Sequence, residues 1–196
     1  MSHYVTSTWA ASRSRHARGF TAVELIIVMA VVGILMAIAV PSFRSFMQNS
    51  RLTTQANTLV YALNLARSSA IQLDRAVEVC ASADGATCNG AWNQGWIVGY
   101  PALANCGAGA ALTTVLGSSP QLGNNNQANE KVNGAVSVCY QSNGQTNNGI
   151  GGTTYQFSFC DNRGAGFGQD VEINFTGRIQ SAQTQGQLIN GAALAC

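Results

Sequence analysis

Residues 25–40 run for sixteen positions without a charge, directly after Glu24 and directly before Pro41. Counted from Phe20, the apolar stretch holds 21 residues to position 40. At about 1.5 Å per residue that is a helix of about 31 Å, the thickness of a bilayer's hydrocarbon core. The preceding residues 1–19 carry Arg13, Arg15 and Arg18 and no acid. Positive charge beside a first apolar segment holds that flank in the cytoplasm, so everything after Pro41 is expected on the far side. A secretory signal would be cut after its apolar run; here a Gly19-Phe20 junction precedes the run, and no Ala-x-Ala pattern closes it. A carboxylate inside such a segment costs about 2.5–3.5 kcal/mol on insertion scales, so Glu24 calls for a partner.

The segment GFTAVELIIVMAVVGILMAIAVPSF resembles the class III signal of type IV pilins and type II secretion pseudopilins. The resemblance implies that a membrane aspartyl prepilin peptidase cuts between Gly19 and Phe20 and that Phe20 becomes N-methylated. It sets Glu24 at the family's glutamate position and Pro41 at its helix-kinking proline. Two readings of Glu24 follow. It is an acid favoured by the positive end of a helix, or it is the charge partner of the methylated amine of an adjacent subunit. The second reading is preferred, because it supplies the partner that a carboxylate in a low-dielectric filament core needs.

Removal of the leader changes the charge balance. The chain has 10 Lys+Arg and 8 Asp+Glu; losing three arginines leaves seven basic against eight acidic side chains. Both histidines, His3 and His16, leave with it. A mature chain without histidine cannot run a Ser-His or Cys-His triad and lacks the commonest metal ligand. No enzymatic activity, metal or cofactor is therefore expected. Charged residues make up 9% of the chain, a neutral polar surface poorly suited to polyanions.

Six cysteines, Cys80, Cys88, Cys106, Cys139, Cys160 and Cys196, all follow the apolar run. In an oxidising compartment they read as three disulfides, for which sequence allows 15 pairings. The preferred set joins Cys80 to Cys88 across one short turn and Cys160 to Cys196 at the C-terminus, leaving Cys106 with Cys139. Without such a pin, residues 183–195 carry too few large apolar side chains to stay ordered.

Beyond Pro41, Leu52, Ala56, Leu59, Val60, Leu63, Ala66 and Ala70 recur at three- and four-residue spacing. This predicts one helix from residue 20 to about 73, with Gly33 and Pro41 as its weak points. The period then changes to two. Strands are expected at residues 76–81, 95–100, 136–140, 155–159 and 171–175, with a long Gly/Ala/Asn-rich surface loop over 101–130 that holds one short strand at 113–116. Trp92, Trp96 and Tyr100 read as core or cross-strand residues rather than a ligand platform. The run Asp161-Asn162-Arg163-Gly164 reads as a solvated turn.

This order is similar to the FimT/FimU minor pilins and H-type pseudopilins. The residues that carry the likeness are Ala66-Arg67-Ser68-Ser69-Ala70-Ile71, Val79-Cys80-Ala81-Ser82, Trp92, Gly95-Trp96 and Gly177-Arg178. It implies an α+β, pilin-like fold, in which a long N-terminal helix packs on the antiparallel sheets of a disulfide-bonded head. It divides the chain into a leader (1–19), a transmembrane and assembly helix (20–41) and a periplasmic head (42–196). It also implies a structural subunit of a pilus or pseudopilus tip, anchored in the inner membrane until assembly. Its partners would be the prepilin peptidase and other minor and major pilins or pseudopilins, met through the helix. DNA uptake is the weaker alternative. Some FimT-type pilins bind DNA through a C-terminal Gly-Arg-x-Arg run, and here Gly177-Arg178-Ile179-Gln180 lacks the second arginine.

Overall fold

The computed structural model describes residues 19–102, 111–123, 126–131, 134–146 and 154–196. The chain divides into two compact units, Met1–Phe43 and Arg44–Cys196, and the described part of the first begins at Gly19. One helix, α1 (Ala22–Leu73), contributes to both. In the first unit its side chains are exposed throughout. It is the one described helix long and apolar enough to cross a membrane.

In the second unit α1 buries Leu52, Ala56, Leu59, Ala62, Leu63, Ala66 and Ala70, a stripe at helical period. Val60 lies at the edge of this stripe, half-buried, and Ala62 takes the inner position. Small alanines let the sheets approach the helix axis closely. The helix stops at Asp74, the one non-glycine described residue with positive φ (48°). The Arg75 N–H returns to the Ala70 carbonyl at 3.3 Å, the closing bond of a Schellman turn.

Eight strands follow: β1 (Val77–Ala81), β2 (Trp96–Pro101), β3 (Leu112–Ser119), β4 (Gln127–Glu130), β5 (Ser137–Tyr140), β6 (Tyr155–Cys160), β7 (Gln169–Ile173) and β8 (Ile179–Ser181). They form two four-stranded sheets, in the orders β3-β2-β1-β5 and β4-β6-β7-β8. Every strand pairing is antiparallel. Val77, Val79, Val98, Val138 and Tyr140 of the first sheet and Tyr155, Phe157, Phe159, Val171 and Ile173 of the second join the helix stripe in one core. Trp92 ties the two sheets together. Its ring meets Phe157 edge-on at 4.8 Å, and its indole N–H donates to the Ala135 carbonyl at 2.8 Å.

Four details differ from the expectations, the first being that β7 runs Gln169–Ile173, two residues ahead of the expected 171–175. The expected loop over 101–130 contains β4 and an eight-residue β3, and a further strand, β8, follows Gly177. Residues 155–159 bury more than one face: Ser158 and its cross-strand partner Asp170 are both fully enclosed. The turn at Asp161 is only partly solvated: Asn162 is exposed, but the charged side chains on either side of it are drawn in. Asp161 and Arg163 form an ion pair at 2.7 Å with side chains only 5% and 15% exposed, and Arg163 stacks on Phe167 at 4.4 Å. Burial works against ionisation of Asp161, and the Arg163 hydrogen bonds overcome it, holding the carboxyl below its ordinary range.

Disulfides join Cys80 to Cys88 and Cys160 to Cys196. Cys139 is also disulfide-bonded; Cys106, its expected partner, lies outside the described residues, as do His3, Arg13, Arg15, His16 and Arg18.

Candidate functional site

The N-terminal junction is built by a cap. Thr21 immediately precedes the helix; its Oγ1 accepts the N–H of Glu24 at 3.2 Å, and its carbonyl accepts the N–H of Leu25 at 3.2 Å. Thr21 and Glu24 therefore hold the N-cap and third helical positions, the spacing of a capping box. Sequence reasoning singled out Glu24 and overlooked Thr21, although the Thr-x-x-Glu pattern was legible. The arrangement has a chemical consequence. The helix begins only after Thr21, so Phe20 (82% exposed) and its backbone nitrogen stay outside the helical ladder. Glu24 sits one turn in, exposed, where the helix dipole favours a carboxylate.

Gly33 has open space where a Cβ would stand, so no contact within the chain requires glycine there. Pro41 lies inside α1, which continues through it. A proline at this point withholds a helix N–H from the Ala37 carbonyl.

In the head, Arg67 binds the ends of two loops to the helix. Its Nε donates to the Gly144 carbonyl and its Nη2 to the Thr176 carbonyl, each at 3.2 Å. Gly177 follows with φ +77°, pressed against the Gly144 carbonyl, so a side chain would fail there on both counts. Next comes Arg178. Its N–H donates to Asn174 Oδ1 at 3.0 Å, while its side chain is exposed and makes no hydrogen bond or ion pair among the described residues. Trp92 and Trp96 are buried, and Tyr100 is half-buried beneath the Arg75 guanidinium at 4.0 Å, so these aromatics form no open stacking surface. Among the described residues no group of His, Cys, Asp and Glu could hold a metal ion.

Asp84 organises the loop that Cys80–Cys88 closes. The backbone N–H groups of Thr87 and Ala86 donate to it at 2.8 and 2.9 Å, joined by the Thr87 hydroxyl, the Asn89 amide and the Ser82 hydroxyl. These donors, led by the two backbone groups, hold its carboxyl far below the usual carboxylate range. These bonds all lie within residues 82–89, and they make Asp84 the organiser of that turn.

A long helix packed on antiparallel, disulfide-bonded sheets defines the pilin class of fold. The family described as type II transport protein GspH matches residues 55–177, more than half of the chain. The chain belongs to that family. The prokaryotic N-terminal methylation motif matches residues 14–40. The type IV major pilin PilA of Myxococcus xanthus is 48% identical over 52 residues, 26% of this chain and 23% of that protein. A fimbrial protein of Pseudomonas aeruginosa is 44% identical over 54 residues, 28% of this chain and 34% of that one. The prepilin peptidase-dependent protein D of Escherichia coli is 33% identical over 78 residues, 39% and 46% of the two chains. The chain thus spans less than half of the length of each of these relatives. The crystal structure of the type IV minor pilin FimU of P. aeruginosa aligns with a TM-score of 0.54 at 23% identity, over 71% of this chain and 98% of that one. At that identity the likeness is one of fold.

Proposed function

We propose that this chain is a structural minor pilin or H-type pseudopilin of a pilus or pseudopilus tip complex, matured at Gly19-Phe20. The observation that carries the reading is the union, in one chain, of an N-terminal methylation motif over residues 14–40 with a GspH head over residues 55–177. A processing signal joined to a membrane-length helix and an antiparallel head suits a subunit that waits in the inner membrane and then enters a filament. Prepilin peptidase and other pilins or pseudopilins are its partners in this reading.

The mechanism follows from the capped junction. Cleavage before Phe20 leaves an N-methylated amine just outside the helix that Thr21 starts. Glu24, one turn later, is the carboxylate that pairs with the amine of a neighbouring subunit. In a low-dielectric filament core an unpaired member of this couple is strongly disfavoured, so pairing sets the register between subunits. Gly33 and Pro41 give the packed helix its places to adjust.

Two measurements test this. Mass spectrometry of the membrane-derived protein is expected to find Phe20 as an N-methylated first residue. Glu24→Ala is expected to leave the protein in the membrane fraction and to lower its content in sheared filaments at least ten-fold. Wild-type incorporation of the variant would sink the pairing. Loss of twitching on deletion would favour the pilus over the secretion system; exoprotein retention would favour the reverse.

A second reading, DNA capture, draws on the exposed, unengaged Arg178. It is the weaker one, because the mature chain has a near-neutral balance of side-chain charge. Retardation of duplex DNA at physiological salt, abolished by Arg178→Ala, would reverse the ranking.

A further inference from the structure

We propose that a polar cleft beside residues 48–51 of α1 binds the headgroup of an anionic phospholipid. Between Glu24 and Asp74 the sequence holds three arginines, Arg44, Arg51 and Arg67, and no acid. Arg67 is engaged with the Gly144 and Thr176 carbonyls. Arg44 and Arg51 are exposed, and their side chains make no hydrogen bond or ion pair among the described residues. They stand seven residues apart, on one face of the helix, with Gln48 between them.

Gln48 and Arg51 line a cleft of about 220 Å³ together with Asn126, Asp161 and Asn162. Asn126 is fixed there by donation from its Nδ2 to Gln55 Oε1 at 2.8 Å. Asp161 does not repel an anion as a free carboxylate would, because Arg163 already pairs with it at 2.7 Å. The cleft therefore presents one uncompensated cation, three side-chain amides and a neutralised carboxylate. A phosphodiester takes the guanidinium and amide N–H groups; the hydroxyls of a glycerol headgroup take the amide and carboxylate oxygens. No aromatic residue lines the cleft among the described residues.

Sequence distance selects the lipid over a free phosphate. Arg44 follows Pro41 by three residues and Arg51 by ten. Whatever angle the chain takes at Pro41, both stay within a short reach of the end of the apolar run. Long arginine side chains on a helix also lean towards its N-terminus, the end from which the apolar run enters. The inference rests on the membrane anchoring of residues 20–40.

The test uses the full chain in nanodiscs of equimolar phosphatidylglycerol and phosphatidylcholine, with lipid retained through stepwise delipidation counted by native mass spectrometry. The wild type is expected to keep phosphatidylglycerol preferentially. Arg51→Gln is expected to lower that retention about five-fold, the effect of one basic residue at an anionic surface. Arg51→Lys keeps most of it, and Lys131→Gln, an exposed charge past the end of β4, leaves it unchanged. Equal retention of the two lipids, or equal behaviour of wild type and Arg51→Gln, would overturn the proposal. So would displacement of the lipid by millimolar inorganic phosphate, which would mark a free-anion site. Failure of anchoring would be seen separately, as protein absent from the disc fraction.

Discussion

Asp170 shows how one side chain can set the pH response of the head. It is fully enclosed, opposite Ser158 in the sheet register, and accepts from the Gln156 amide at 3.3 Å. Burial pushes its pKa up to about 6; the Gln156 bond opposes the shift and the charge of Glu172 reinforces it. A carboxyl whose folded pKa lies above its unfolded value stabilises the fold when protonated. That contribution is complete below about pH 4 and is lost as pH rises through about 6. Asp170→Asn is therefore expected to flatten the pH dependence of stability between pH 4 and 7. At pH 7 the variant should gain about 1–2 kcal/mol, checked by thermal unfolding of the full chain in detergent. Glu24 belongs to the same scale and was read from sequence, because an acid beside an uninterrupted apolar run is conspicuous. Asp170 was not, because nothing in Gln169-Asp170-Val171 announces that the backbone of Ile189 will return to bond its carboxyl.

At the scale of elements, α1 was legible end to end. Its membrane half is marked by apolar length and its head half by a three-four spacing. Its C-terminus is marked by Asp74, where the period changes. The left-handed conformation there is one that Asp tolerates at a cost and Gly adopts freely. Asp74→Gly is expected to raise stability by about 0.5–1 kcal/mol, measurable as a small rise in Tm. Strands β1, β2, β5, β6 and β7 were read from alternation or apolar runs. β4 and β8 were not, and β3 was read too short. All three are sheet edges. An edge strand is held by one ladder of backbone hydrogen bonds and packs few side chains, so sequences such as Gln-Ala-Asn-Glu and Ile-Gln-Ser carry little periodic signal.

For the whole molecule, the Cys160–Cys196 bridge closes a separation of 36 residues and anchors the C-terminal segment. Other contacts also fix that segment, among them the backbone bond from Ile189 to the Asp170 carboxyl. Leu194 is buried against Gly168, Gln187 bridges to Ala193, and the Gly186 N–H donates to the Gly168 carbonyl at 3.0 Å. Replacing Cys160 and Cys196 together by Ser is expected to cost about 2–4 kcal/mol. Amide hydrogen exchange should then show protection lost across residues 183–196 while β1 and β2 remain protected, because their own ladder and core are untouched.

The sequence by itself determined the membrane-length helix, the junction ahead of it, the acid one turn in and the α+β class. Each of these depends on the order and spacing of neighbouring residues, which covalent connectivity preserves. Tertiary structure alone decided the division into two sheets, the burial of Ser158 and Asp170, and the pairing of Asp161 with Arg163 out of solvent. It also brought Gln48 and Arg51 of the helix beside Asn126 and Asn162. The sheets, the enclosure of Ser158 and Asp170 and the cleft join residues far apart in the chain, and even the short-range Asp161–Arg163 pair is drawn in from solvent only once burial and long-range hydrogen bonding have chosen which surfaces meet.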